Sequence, residues 1–253
     1  MIYSDEQFEQ LEQEERVITD EAIAAMIAIL AATKSNLERE LRDFYSKYGK
    51  DGVVTYAEAR KWASDSDHRR RLTVLLLFIN ENFKALLSDL TPEFKAMLEE
   101  VIGKEAEFFN EEVEDDVTTT VWGVDEKTWL ERLTDDAALW AAYIATDIKQ
   151  AFLKRKHIDD VLKQLDKRFV SIGHIIEKLG LTESTAVGSL GRRSIFKKLG
   201  VSKYRFYTRA DERTCETCGG MHGLVFPISA FEVGVTASPL HPRCRCWEVP
   251  IID

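Results

Sequence analysis

Apolar residues recur every three or four positions through most of the first 180 residues, and strict alternation appears only near the C-terminus. Leu37, Leu41, Phe44, Tyr45 and Tyr48 share one helical stripe. Asp20 is placed to cap a helix running to about Tyr48, with Gly49 as its stop. Thr55-Tyr56-Ala57-Glu58 has the spacing of a capping box, so a helix is expected near Tyr56. Arg71 to Leu90 predicts a helix that is most apolar at Val74–Ile79, and Leu75, Leu76, Phe78 and Ile79 should include buried positions. Thr91-Pro92-Glu93 reads as a cap followed by proline in the first turn of another helix, which ends in the acidic run Glu111 to Asp116. The β-branched stretch Val117–Val121 is expected to be extended. Helices from about Asp125, from a cap at Thr134 or Asp135, and over Ile158 to Leu179 complete a bundle with Trp129, Trp140, Tyr143 and Phe152 in its core. Thr182 or Ser184 is placed to cap one more helix, ended by Gly200. Lys203-Tyr-Arg-Phe-Tyr-Thr-Arg209 then alternates as a half-buried strand does.

Glycine and proline divide the chain. Residues 1–172 hold four Gly and one Pro, whereas residues 173–253 hold nine Gly and four Pro, which moves the later part toward loops and strands. The expected fold class is mainly α: an N-terminal helical bundle over 1–180, then a small α+β domain over 181–253. A hydrophobic share of 45% with 31% charged residues describes a globular chain and excludes a disordered one. The longest apolar stretch, Ala22–Ala32, is short of the about 20 residues a bilayer demands. The N-terminus, Met-Ile-Tyr-Ser-Asp-Glu, lacks the basic flank of a signal peptide, so synthesis in a cytosol without membrane contact is expected.

Charge adds an asymmetry to this picture. Lys149 to Arg209 contains fifteen Lys/Arg against five acids, a balance of +10, so the net charge of −10 leaves −20 on the rest of the chain. The basic residues cluster at Lys154, Arg155 and Lys156 and at Arg192, Arg193, Lys197 and Lys198. Such a segment can contact DNA or an acidic partner, or can be a solvated helix face.

All four cysteines lie between Cys215 and Cys246. Cys215-Glu-Thr-Cys218-Gly has the spacing of a zinc knuckle: two thiolates on one metal, with glycine allowing the backbone amides to face the sulfurs. The remaining ligands must come from His241, Cys244 and Cys246, of which one is spare, and His222 is a further candidate. Clustered thiols in a cytosolic chain favour metal over a disulfide; free buried thiols and a disulfide are the alternatives. The zinc-deaminase signature of His-x-Glu ahead of Pro-Cys-x-x-Cys is missing. No partner is placed to orient a thiol nucleophile. A closed structural site is expected, with Zn2+ as the cofactor and no catalysis.

The run Asp211-Glu-Arg-Thr-Cys-Glu-Thr-Cys-Gly-Gly-Met-His-Gly-Leu-Val-Phe226, followed by Pro239-Leu-His-Pro-Arg-Cys-Arg-Cys246, resembles the signature that closes the Mu F-like minor head (head-morphogenesis) proteins of tailed phages. The resemblance covers roughly Thr182 to Cys246. Leu181-Thr182-Glu183 stands where family members usually carry Arg-Thr-Glu, and Ser238 replaces the first proline of their Pro-Pro. The Asp51–Arg60 stretch is loosely similar to their N-terminal region. The resemblance implies a non-enzymatic virion protein in the interior of the head near the portal, made in the host cytoplasm. The implied partners are the portal protein, scaffold or major capsid protein, and double-stranded DNA without sequence preference. A toxin-related enzyme domain and a DNA-binding zinc protein are the competing readings. The seven residues after Cys246 leave no room for an effector, and Gly223, Pro227 and Gly234 argue against a recognition helix beside the metal.

Overall fold

The helical periodicity produces longer helices than its punctuation suggests. In the computed structural model, which describes residues 4–63, 69–114, 116–123 and 125–252, these are α1 (Asp5–Tyr48), the short α2 (Tyr56–Ala59), α3 (Arg71–Phe109), α4 (Trp129–Leu153) and α5 (Ile158–Lys198). The C-terminal part adds β1 (Lys203–Thr208), α6 (Glu216–Met221), β2 (Val225–Pro227) and β3 (Cys246–Ile251). The strands form an antiparallel sheet in the order β2-β1-β3. The fold is mainly helical with a small three-stranded sheet at the C-terminus.

Several local signals act as their chemistry predicts. Thr55 Oγ1 accepts the Glu58 N–H at 3.2 Å at the start of α2. Helix α1 ends at Tyr48, and a Cβ on Gly49 would sit 2.5 Å from the Tyr45 carbonyl oxygen, so only glycine fits this stop. Leu37, Leu41, Phe44 and Tyr45 are buried along the α1 stripe. Strand β1 alternates as expected, with Tyr204, Phe206 and Thr208 inward.

The expected helix starts at Asp20, Thr91, Thr134 or Asp135, and Thr182 or Ser184 all fall inside continuous helices. In three cases the side chain bonds backward along the helix or to a neighbouring turn, where a cap would bond forward. Thr91 Oγ1 donates to the Leu87 carbonyl at 2.7 Å, Thr182 Oγ1 to that of Lys178 at 2.6 Å, and Asp20 pairs with Arg16 at 3.1 Å. Pro92 costs α3 one backbone bond, on a scale of about 3 kcal/mol in a helix interior. The stripe Leu86, Leu90, Phe94, Leu98 and Val101 is buried through it and keeps the helix whole. Val117–Thr119 forms a 3-10 turn and is not extended, because Thr119 and Thr120 hydroxyls fold back on the Asp116 carbonyl. Within the acidic run, Asp115 lies outside the described residues.

Met1–Ala24, Pro92–Glu131 and Ile176–Asp253 make one compact unit, and Ala25–Thr91 with Arg132–Ile175 another. The position 180/181 lies within α5. In the first unit, Phe109 meets Phe8 and Phe196 at ring distances of 5.8 and 5.7 Å, and Phe94 stacks on Trp129 at 5.8 Å, all of them buried. In the second, Phe152 stacks on Phe44 at 5.5 Å, and Leu41, Leu75, Ile79 and Ile148 are buried. Trp129, Trp140 and Phe152 are buried as expected, but Tyr143 is 50% exposed, with the Arg168 guanidinium 5.4 Å from its ring.

Ile79 is 1% exposed and Leu77, two positions before it, is 44% exposed. Ile79→Ala is expected to cost about 2–5 kcal/mol, and Leu77→Ala within about 0.5 kcal/mol, in urea unfolding of the full chain. Equal effects at the two positions would contradict this burial pattern.

Candidate metal centre

Two chain segments bring the sulfurs together. The first leaves β1 through a tight turn at Asp211–Thr214 and enters α6. Cys215 caps that helix, its Sγ accepting the Cys218 N–H at 3.4 Å. Gly219 and Gly220 lie inside α6, and the left-handed residue of this segment is Gly223 at φ 80°. The glycine needed for the turn is therefore Gly223, four residues later than the knuckle spacing suggests. The second segment approaches β3 and carries His241, Cys244 and Cys246.

His241 Nε2 lies 3.2 Å from both Cys215 Sγ and Cys218 Sγ, and Cys218 Sγ lies 3.7 Å from Cys244 Sγ. Ligand atoms of Cys215, Cys218 and His241, and of Cys218, Cys244 and Cys246, form two overlapping groups that could hold a metal ion. His241 Nδ1 is 2.9 Å from the Pro242 carbonyl oxygen. Donation there assigns the proton to Nδ1 and leaves the Nε2 lone pair facing the sulfurs. His222 is not among these groups: its Nδ1 accepts the Thr208 N–H at 3.2 Å and its ring lies edge-on to Tyr207.

The thiols differ in acidity. Hydrogen bonding from Cys246 holds Cys244 down at about 5, with further help from the backbone at Leu240 and Cys246. The partner thiol Cys246 is raised by that same bond and by burial. Burial, then the neighbouring Cys244, pushes Cys218 up to about 12, while the Cys218 amide lowers Cys215. For His241, burial pulls down but the Pro242 carbonyl and the thiolates of Cys244 and Cys215 prevail, and the net shift is upward.

The residues around the sulfurs explain the rest of the motif. Asp211 accepts two bonds of 2.7 Å from Arg245, joining the turn before Cys215 to the Cys-Arg-Cys segment, and this pairing holds its carboxyl well below the usual range. Thr182 Oγ1 accepts the Arg243 N–H at 3.1 Å, and Thr185 Oγ1 donates to the Cys244 carbonyl at 3.2 Å, so α5 grips the second segment. Glu183 is buried and accepts the Trp122 indole N–H at 2.8 Å. Ser238 uses what a proline would lack: its N–H donates to Glu248 Oε1 at 2.6 Å.

The basic residues separate by burial. Lys154, Arg155 and Lys156 are exposed in the turn between α4 and α5, and Lys197 and Lys198 are exposed at the end of α5, Lys198 donating to the Glu112 carbonyl at 2.7 Å. Arg193 is half-buried. Arg192, expected among the contact residues, is only 1% exposed and is enclosed by Glu12, Glu15, Glu105 and Glu248. It cannot touch DNA or a partner from there. Helical spacing from Ser189, Ile195 and Phe196, all buried, was the signal that placed it inward.

Metal ligands must be deprotonated, and Cys218 holds its proton tightly, so metal binding here releases protons and weakens as pH falls. Protein purified under reducing conditions is expected to carry about one metal ion per chain, and Cys218→Ser almost none. A ratio near zero, with all four thiols titratable in folded protein, would remove the site.

Residues 142–249, somewhat under half of the chain, match the family described as Phage Mu protein F like protein. No curated protein and no solved structure matches the chain. The matched region takes in the latter part of α4, the whole of α5, β1, β2, the first part of β3 and all five clustered ligand candidates. No helix among the described residues is long and apolar enough to cross a membrane. The match over residues 142–249 supports a Mu F-like phage head protein.

Proposed function

We propose that the chain is a non-enzymatic minor head protein that works inside the phage head at the portal vertex, with one structural zinc in the Cys/His cluster. The observation that supports this most is the convergence of Cys215, Cys218, His241 and Cys244 within the Mu F-like region. Thiolate and imidazole are the donor set zinc prefers. Tetrahedral zinc with arms of about 2.3 Å has sulfur–sulfur edges of about 3.8 Å, and the Cys218–Cys244 separation of 3.7 Å is close to that edge. Cys246 stands behind Cys244 as its hydrogen-bond donor. Four protein ligands leave no coordination position for a substrate, so zinc at this place would cross-link the two segments. Structural zinc in small fingers supplies roughly 10–16 kcal/mol of apparent binding free energy.

Lys154, Arg155, Lys156, Lys197 and Lys198 are the exposed cations of the two basic clusters. They suit phosphates of double-stranded DNA, bound without sequence preference, or an acidic surface of the portal, scaffold or major capsid protein. Head assembly and the packaging or ejection of DNA are the steps in which both surfaces meet such a protein.

An asymmetric reconstruction of the virion tests the location: density for this chain against the portal inside the head is expected, and density only on the outer shell would contradict it. Duplex DNA binding at two salt concentrations tests the cations. A log–log slope of about 0.9 per phosphate neutralised is expected, reduced in Lys154→Ala/Arg155→Ala/Lys156→Ala or in Lys197→Ala/Lys198→Ala, while no binding at low salt would leave the protein partners.

A further inference from the structure

Arg192 is surrounded by more negative charge than one guanidinium can balance. Its Nη2 pairs with Glu12 and, at 3.0 Å, with Glu15 of α1; its Nε lies 2.5 Å from Glu105 Oε1 of α3; its Nη1 lies 3.5 Å from Glu248 Oε2 of β3. Arg192, Glu105 and Glu248 are at most 1% exposed, and Glu15 is 8% exposed. Four carboxylates on one cation would bury a net charge of −3, which a low-dielectric interior does not tolerate without protons.

Hydrogen bonding shows where a proton belongs. Glu248 is well supplied, by the Ser238 N–H at 2.6 Å and the Ser189 hydroxyl at 2.9 Å. Apart from the close Arg192 Nε, neither oxygen of Glu105 has a hydrogen-bond donor among the described residues, nor does Glu15 Oε1, and Glu15 and Glu105 interact with each other. Two carboxyl groups in contact without a donor between them are stable when they share a proton. The other titratable groups felt here are Arg209 and Cys244, both of which act on Glu12 and not on the Glu15–Glu105 pair.

We infer that the Glu15–Glu105 pair, closed over Arg192, is a proton-dependent clasp that fastens the first turns of α1 to α3, α5 and β3. Both carboxyls are pushed up, first by burial, Glu105 to about 7. A carboxyl raised in the folded state contributes stability that is complete below its unfolded value and is lost as pH rises through the folded one. The clasp therefore holds at mildly acidic pH and loosens toward pH 7, where it gives up residues 5–24 before the rest of the molecule.

Hydrogen–deuterium exchange on the full chain tests this, with amide rates in residues 5–24 corrected for the intrinsic pH dependence of exchange. Local opening is expected to increase up to roughly tenfold per pH unit between about pH 5 and pH 7. Glu105→Gln supplies an amide donor in place of the shared proton and should flatten that slope, as should Glu15→Gln, while Glu107→Gln on the exposed side of α3 should leave it unchanged. If only one of the two clasp variants folds, its slope decides. A slope below twofold across this range in the natural protein, or an unchanged slope in the folded clasp variants, would overturn the inference.

Discussion

Of the four buried residues that form the local core behind the sheet, one is aromatic, Phe206, and the other three are Cys218, Cys244 and Cys246. Cys215, Met221, Phe226 and Leu240 pack around them. The segments that meet here are short: a six-residue helix, a three-residue strand and the approach to β3. A local core this small supplies little hydrophobic stabilisation of its own, and a cross-link between such short segments would add to it. The sulfurs, with His241 Nε2 aimed at two of them, are placed where that cross-link is needed. The tie of Asp211 to Arg245 and the grip of Thr182 and Thr185 on the second segment keep the donors in position.

The site was legible in the sequence because its information is local. Cys-x-x-Cys spacing, the second Cys-x-Cys and His241 name the donors directly, and all five candidates come together. What the spacing could not give is the path of the backbone: α6 is a helix turn, and the left-handed glycine is Gly223. The helices were legible in their apolar stripes but not in their punctuation. Asp20, Thr91, Thr182 and Ser184 have cap chemistry, yet tertiary burial runs the helices through them, and their side chains turn back to nearby carbonyls or pair with a neighbour.

Charge was the least legible property. A count along Lys149–Arg209 gives a basic segment, but its members lie in opposite environments. Lys154–Lys156, Lys197 and Lys198 are solvated, whereas Arg192 is the central cation of a buried acidic cluster drawn from α1, α3 and β3. The carboxylates that enclose it lie up to 180 residues away in sequence. No local pattern carries that pairing. The same cluster shows why residues 1–24 and 176–253 belong to one compact unit.

This organisation divides the work among the parts of the chain. The helices build the body, the exposed lysines and Arg155 offer charge, and the Cys/His cluster brings the C-terminal segments together. That division depends on zinc being held by the cluster. X-ray absorption at the zinc edge, on protein purified under reducing conditions, reads the ligand set itself. Three sulfur neighbours near 2.3 Å and one nitrogen at about 2.0–2.1 Å are expected, the nitrogen being lost in His241→Ala. A spectrum of zinc bound only by oxygen and nitrogen, or four sulfurs unaffected by His241→Ala, would contradict it.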